Sequence, residues 1–374
     1  MAVFIHHIET AVPETAYEQT FIRDVMKAHL GSERKVERLI HRVYAQSGIH
    51  KRHSVIRDFS ERAPAGLFYD GAQGRLKAPT TGERNGLYSA ASRPLYSCLA
   101  RKAVAHCPGV AAADITHVIT VSCTGFFAPG PDYFIVRDLG LSPATQRFHL
   151  GFMGCYAAFP ALNMARAFCE ADPEATVLVV CLELCTLHLQ LTQNLDAIIA
   201  TSVFADGGAV AVVSARSPQE PERALKVERL ATTLTPRGEE DMAWTIGDSG
   251  FTMVLSSYVP EILGASIAGV LEPLLEGGGL GDNIALGDID HWAVHPGGRS
   301  ILDKVQKSLA LTDADLAPSR KTLQDYGNMS SATILFVLRE VMDKPPVGGD
   351  ETLCAMAFGP GLTVESGLFS KNPR

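Results

Sequence analysis

The sequence predicts a layered α/β fold built from two halves, and three observations carry that prediction. Residues 175–182 and 209–213 are unbroken apolar runs of strand length, the pattern of strands buried on both faces. Between and after them, apolar residues recur at helical spacing, as in Phe159, Leu162, Ala165 and Phe168, or Ile301, Val305 and Leu309. A polar stretch with two prolines, residues 214–222, then separates two similar element orders. This divides the chain into 1–217 and 218–374 and suggests an internal duplication, although no residue-level repeat can be aligned.

In chain order, residues 3–8 read as a strand and 21–30 as a helix with apolar Phe21, Ile22, Val25 and Met26. Residues 33–62 are polar and basic and read as solvated surface, with the densest positive charge at Ser47-Gly48-Ile49-His50-Lys51-Arg52-His53. Residues 64–86, rich in Gly, Pro and Thr, read as a long loop, and 88–105 as a helix. The strand 117–123 ends in a turn holding Pro129 and Pro131, and a helix follows at 134–139. From 149 to 168 an extended segment turns into a helix at Cys155. In the second half, 259–275 and 301–309 read as helices, 291–295 as a strand, and Asn328 opens a further helix. Strands at 352–358 and 362–369 flank Gly359-Pro360-Gly361.

With 374 residues, 46% of them hydrophobic and 20% charged, the chain can bury a large core. Its net charge of -8 argues against nucleic acid or an anionic membrane as partner. No apolar run reaches the roughly 18 residues of a membrane span, and the first residues do not resemble a signal peptide. The eight cysteines form no CxxC pair or zinc spacing, so they read as reduced thiols of a cytoplasmic protein without a metal.

Cys155 is the candidate nucleophile. Gly154 permits a tight turn, the helix that follows aims its first N–H groups at the sulfur, and Pro160 suits a first helical turn. A buried structural cysteine is the competing reading. His295 ends an apolar strand and is followed by Pro296-Gly297-Gly298, which turns the chain just past the imidazole. His291 lies four residues earlier, but the strand reading and Pro296 set a zinc pair aside. Asn328 serves either as a helix cap or as an amide donor to an oxyanion, and one residue is expected to do only one of these. A Cys/His/Asn set is open to two chemistries: papain-like hydrolysis, whose Gly-Ser-Cys-Trp signature is absent, or decarboxylative Claisen condensation.

Four segments, Gly154-Cys155-Tyr156-Ala157, Val294-His295-Pro296-Gly297-Gly298, Tyr326-Gly327-Asn328-Met329-Ser330-Ser331 and Phe358-Gly359-Pro360-Gly361-Leu362-Thr363-Val364-Glu365, resemble the type III polyketide synthases, the chalcone synthase-like branch of the thiolase superfamily. The resemblance covers nearly the whole chain. It implies a duplicated five-layer α/β/α/β/α thiolase-like fold and a homodimer. It also implies that Cys155 carries the acyl chain, that His295 keeps it as thiolate, and that Asn328 joins His295 in stabilising the enolate of malonyl-CoA. Such an ion-paired thiolate is expected to have a pKa of roughly 3.5 to 7.5.

The same resemblance makes Phe204 a gatekeeper between CoA tunnel and cavity and gives Lys51, Arg52 and Ser300 to CoA binding. It puts Cys123, His188, Trp244, Met253, Gly359 and Pro360 around the substrate. Ala128-Pro129 matches a dimer-crossing loop that usually carries Met before a cis-Pro. Trp244 stands near a position that is Gly in plant chalcone synthases and is expected to shrink the pocket. The wording around Cys155 is similar to bacterial members that make alkylpyrones or alkylresorcinols from fatty acyl starters. Acyl-CoA and malonyl-CoA are then substrates rather than cofactors, and an acyl carrier protein is a conceivable donor. A one-step condensing enzyme, like ketoacyl synthase III or HMG-CoA synthase, and a silent acyl-binding scaffold are the alternatives.

Overall fold

The structure, a computed structural model, describes residues 1–374 except 32, 60–65, 221–222, 257, 277–283, 346–347 and 372–374, and the side chains of 265, 266 and 268. The ends of the basic and boundary stretches and the start of the expected loop therefore lie outside the described residues. The first half runs β1 (Phe4–Ala11), β2 (Ala16–Glu18), α1 (Gln19–Leu30), α2 (Arg34–Ala45), β3 (Lys51–His53), β4 (Tyr69–Asp70), β5 (Arg75–Leu76) and α3 (Thr81–His106). It continues through β6 (His117–Ser122), α4 (Pro131–Leu139), β7 (Gln146–Gly151), α5 (Ala158–Ala171), β8 (Thr176–Leu184), α6 (Leu195–Val203) and β9 (Asp206–Ser214). The second half runs β10 (Leu225–Leu234), β11 (Met242–Gly247), β12 (Gly250–Leu255), α7 (Val259–Leu275), β13 (His291–Val294), α8 (Arg299–Ser308), α9 (Ala317–Tyr326), α10 (Thr333–Met342), β14 (Glu351–Gly359) and β15 (Thr363–Lys371).

Among the described residues nine strands join in the order β13-β14-β15-β10-β1-β9-β8-β6-β7. Counted outward from the β1/β10 pair, both halves repeat one pattern. The first strand pairs antiparallel with the last (β1 with β9, β10 with β15), that strand pairs antiparallel with its predecessor, and a parallel partner follows (β6 beside β8, β13 beside β14). This repetition is the duplication that no residue alignment could reveal.

Packing sorts the elements into five layers. Along β8, Val177, Val179 and Cys181 face a central core that includes α5 and α10, while Leu178, Val180 and Leu182 face the outer core with α3. Along β14, Leu353, Ala355 and Ala357 face the same central helices and Cys354, Met356 and Phe358 face the core of α7 and α8. Both faces of these strands are apolar because both are covered by helices, the physical basis of the unbroken runs. The thiolase-like α/β/α/β/α arrangement expected by resemblance is the fold of the chain.

Three stretches differ from expectation. Residues 34–45, read as solvated surface, form α2, whose Val36, Ile40 and Tyr44 stripe packs against α1 while its charges face outward. Residues 81–86, read as loop, begin α3, where Thr80 and Glu83 form a reciprocal cap. The helix expected to open at Asn328 is a short 3-10 turn, Ser330–Ala332, continued by α10. No helix among the described residues is long and apolar enough to cross a membrane.

Leu335, fully buried on α10 in the central layer, tests that packing. Leu335→Ala should lower unfolding free energy by about 2–5 kcal/mol in urea titration; a loss under about 1 kcal/mol would mean that α10 is not enclosed between the two halves.

Candidate active site

The chemistry-bearing residues gather where strands end and the central helices begin. Cys155 precedes α5, with Pro160 in its first turn as expected, and Asn328 precedes α10. His295 follows β13, and Cys123 and Cys185 follow β6 and β8. Gly154 has φ +82, and a Cβ there would collide with the Pro360 ring, so the turn that presents Cys155 needs glycine twice over.

Cys155, His295 and Asn328 line one cavity of about 20 Å³ with Cys123, Phe358 and Pro360. That is little more than the space of one water-sized sphere, about 10–15 Å³. The Asn328 amide is oriented by its neighbours: Oδ1 accepts from Ser330 N at 2.9 Å, while Nδ2 donates to Gly297 O at 3.3 Å and lies 3.9 Å from Cys155 Sγ. Asn328 thus caps a turn with its oxygen, and both ends of its amide lie 3.9 Å from the sulfur. The cap is made by the oxygen alone, which leaves the NH₂ able to donate as well.

Burial pushes the Cys155 thiol up to about 11, against the hydrogen bonds of Ser330 and Asn328, and drives the His295 imidazole down to about 3. Each group alone is therefore favoured neutral, opposite to the direction expected from a helix start. Both His295 ring nitrogens lack a hydrogen-bond partner, and the residue is 1% exposed. Cys155 and His295 share the chamber, where a thiolate and an imidazolium together would be neutral overall and their attraction would oppose the desolvation that each suffers. Such a site can offer a thiolate to a carbonyl and two N–H donors to a developing oxyanion.

Two larger cavities adjoin this chamber. One, of about 60 Å³, shares Cys185, Phe204, Trp244 and Met253 with it and extends past Ile22, Phe59, Leu189 and Ala197. The other, of about 280 Å³, shares Leu255, Gly297 and Ile301 and reaches Ser47, Arg299 and Ser300. Trp244 and Met253 face each other in register across the β11–β12 hairpin. Trp244 Nε1 donates to Cys123 O at 2.9 Å. His188 pins the hairpin: Nε2 donates to Thr124 O at 2.8 Å, Nδ1 accepts from Phe251 N at 3.0 Å, and the ring stacks on Phe251 at 4.0 Å. Burial lowers its pKa to about 4, which fits that neutral tautomer.

Gly359 and Pro360 lie in the turn against Tyr156 and Gly154. Ser300 sits at the mouth of the 280 Å³ cavity, exposed at the start of α8. Lys51 is exposed on β3, but Arg52 is not available to a phosphate: it is buried and its guanidinium is engaged by the chain itself. An exposed cation at the mouth is Arg299, 3.5 Å from Asp303 Oδ2, whose only sequence signal was its place just after Pro-Gly-Gly. Sequence reasoning also passed over Glu183, a lone acid closing an apolar strand. It is fully buried and accepts from Cys123 N, Thr124 Oγ1 and Ser331 Oγ at 2.9, 2.9 and 2.6 Å. It ties the ends of β6 and β8 to the Asn328 turn.

His291 Nε2 lies 2.9 Å from Glu351 Oε2. Among the described residues, His7, Glu9 and His106 bring ligand atoms within 4.8 Å of one another. There Arg339 Nη1, 3.4 Å from Glu9 Oε1, already supplies the cation. The Ala128–Pro129 peptide is cis.

If His295 supplies the counter-ion, His295→Ala leaves burial acting alone on the thiol. Iodoacetamide alkylation of Cys155, followed by mass spectrometry, should then be at least about tenfold slower at pH 7 than in the unsubstituted protein and rise as pH approaches 11. Equal rates at pH 7 would remove His295 from thiolate formation.

Residues 1–217 match the family described as chalcone and stilbene synthases, N-terminal domain, and residues 226–372 the C-terminal domain of the same family. The chain is 34% identical over 298 residues to the alpha-pyrone synthesis polyketide synthase-like Pks18 of Mycobacterium tuberculosis, covering 79% of this chain and 75% of that one. It is 29% identical over 363 residues to 3,5-dihydroxyphenylacetyl-CoA synthase of Amycolatopsis orientalis, covering 96% and 91%. The crystal structure of PKS-I from the brown alga Ectocarpus siliculosus superposes with a TM-score of 0.87 at 29% identity, over 99% of this chain and 98% of that one.

Proposed function

The chain belongs to the chalcone and stilbene synthase family of type III polyketide synthases, malonyl-CoA-dependent acyltransferases, and from that premise we propose that it extends a medium- or long-chain fatty acyl starter and releases an alkylpyrone or alkylresorcinol. In this reading the Cys155 thiolate attacks the acyl-CoA carbonyl, and CoA leaves as the thiol with one proton. Malonyl-CoA then loses CO₂, and the enolate oxygen of the remaining acetyl-CoA is held by His295 and the Asn328 Nδ2. The enolate carbon attacks the Cys155 thioester and expels the thiolate, so the chain passes to CoA two carbons longer and can be reloaded.

The observation that supports the starter class is the form of the cavities. The chamber at Cys155 is closed to about 20 Å³ by Trp244, Met253 and Phe358 and suits no bulky ring system. Beyond Phe204 and Trp244 the adjoining cavity, of about 60 Å³, is walled in part by Ile22, Phe59, Leu189 and Ala197, an apolar lining that suits an alkyl chain. The 280 Å³ cavity at the start of α8 supports CoA delivery from the opposite side, with Arg299 and Ser300 at its mouth.

A second copy of the chain is the partner this reading implies. β7 is the outermost strand, and the exposed Phe126 and Tyr133 lie in the segment between β6 and β7.

Incubation with dodecanoyl-CoA and malonyl-CoA should yield alkylated tri- or tetraketide products by mass spectrometry, absent from Cys155→Ala. A single 3-ketoacyl thioester would instead assign one-step condensation. Trp244→Gly, which removes the indole between chamber and apolar cavity, should shift the series to larger products. An unchanged series would place Trp244 outside the substrate path.

A further inference from the structure

The carbonyls that close α6 are all claimed by side chains or backbone from elsewhere. Thr201 O and Phe204 O accept from Arg52 Nη1 at 2.7 and 2.6 Å, and Ser202 O accepts from Gln19 Nε2 at 2.7 Å. Val203 O accepts from Asn328 N at 2.9 Å, and Asn328 O accepts from Ala205 N at 2.8 Å. Arg52 Nε donates to Gln19 Oε1 at 2.9 Å, and Gln19 Nε2 also reaches Ser47 Oγ at 3.0 Å. The Arg52 stem lies against Gly327, where φ is +74 and a Cβ would meet Arg52 Cγ at 2.9 Å.

A helix end does not ordinarily need a buried cation, since water or a left-handed glycine satisfies its carbonyls at lower cost. Arg52 is 6% exposed and, among the described residues, makes no ion pair with a carboxylate; Tyr44 lies 5.9 Å away under the guanidinium. Desolvating a guanidinium is expensive unless its donors are used in a fixed geometry. Here that geometry falls between the two cavities that flank Cys155. Arg52, Thr201 and Phe204 line the apolar one, and Ser47, Ser202 and Val203 line the one at α8.

We infer that Arg52 is a positioning residue. Through the α6 carbonyls and Gly327 it sets the Phe204 ring and the Asn328 amide in a single register, so that gate and oxyanion donor keep fixed places relative to Cys155. This rests on the proposed role of Asn328 in decarboxylation. The fork matters more than the charge, because Nε and Nη1 hold three acceptors at once and a lysine ammonium cannot span them.

The test compares Arg52→Lys, Gln19→Leu and Asn328→Ala with the unsubstituted enzyme. It reads acyl loading of Cys155 by intact-protein mass, malonyl-CoA decarboxylation, KM for both CoA thioesters, and thermal midpoint. Asn328→Ala is the reference: if it decarboxylates normally, the proposed role of Asn328 fails, whatever Arg52 does. Given that loss, Arg52→Lys should keep loading and both KM values within about twofold while decarboxylation falls about ten- to hundredfold, as for a group displaced by a fraction of an ångström. Gln19→Leu, which leaves Arg52 in place and removes one strut, should lose less in the same step only. Raised KM for both thioesters with unchanged kcat would make Arg52 a phosphate ligand. Loading and decarboxylation falling together with the thermal midpoint would make it merely structural. Either result overturns the inference.

Discussion

The active chamber depends on one short piece of backbone pairing, the parallel bridge between Phe204 and Asn328. Cys155 belongs to the first half of the chain and His295 and Asn328 to the second, so the site exists only where the halves are locked in register. Two hydrogen bonds, Asn328 N to Val203 O and Ala205 N to Asn328 O, make that lock. The β1/β10 pairing sets the halves side by side. The local bridge is what carries the two-fold plan of the fold down to the spacing of individual side chains.

The second constraint is dryness. Thiols, imidazole and the Glu183 carboxyl are all buried in this region, and burial displaces each toward its neutral form. A nucleophile in such a place gains nothing from water and depends on partners that are already positioned. The bond from Ser330 N to the Asn328 amide, the four donors on Glu183 and the locked tautomer of His188 are all consequences of that scarcity. The same scarcity gives the walls their precision, since a hydrogen bond that fails in a closed chamber has no solvent to replace it.

A β-hairpin provides one wall of the chamber. β11 and β12 stand apart from the main sheet, and Trp244 and Met253 enter the chamber from this pair. The hairpin is held by His188 and by the bond from Trp244 Nε1 to Cys123 O, so its inward side chains meet the chamber from outside the layers that place Cys155.

Much of this was legible in the sequence for a simple reason: strands covered on both faces and helices packed on one leave local signatures. Residues 259–275 were read as the helix that forms there, and the turn at Gly154-Cys155 and the strand ending at His295 followed from Gly, Pro and apolar runs. α2 and the start of α3 escaped because charge and loop-like composition masked a stripe and a cap that were nonetheless present. Arg52 could not have been placed, since a basic residue in a basic stretch looks solvated until the fold brings the end of α6 over it. The sequence by itself determined the layered α/β class, the segments that hold the three catalytic candidates, and the family. Only the tertiary structure decided that Arg52 is buried on the end of α6, that the Asn328 amide lies beside the Cys155 sulfur, and how little space surrounds it, because each depends on contacts between residues more than a hundred positions apart.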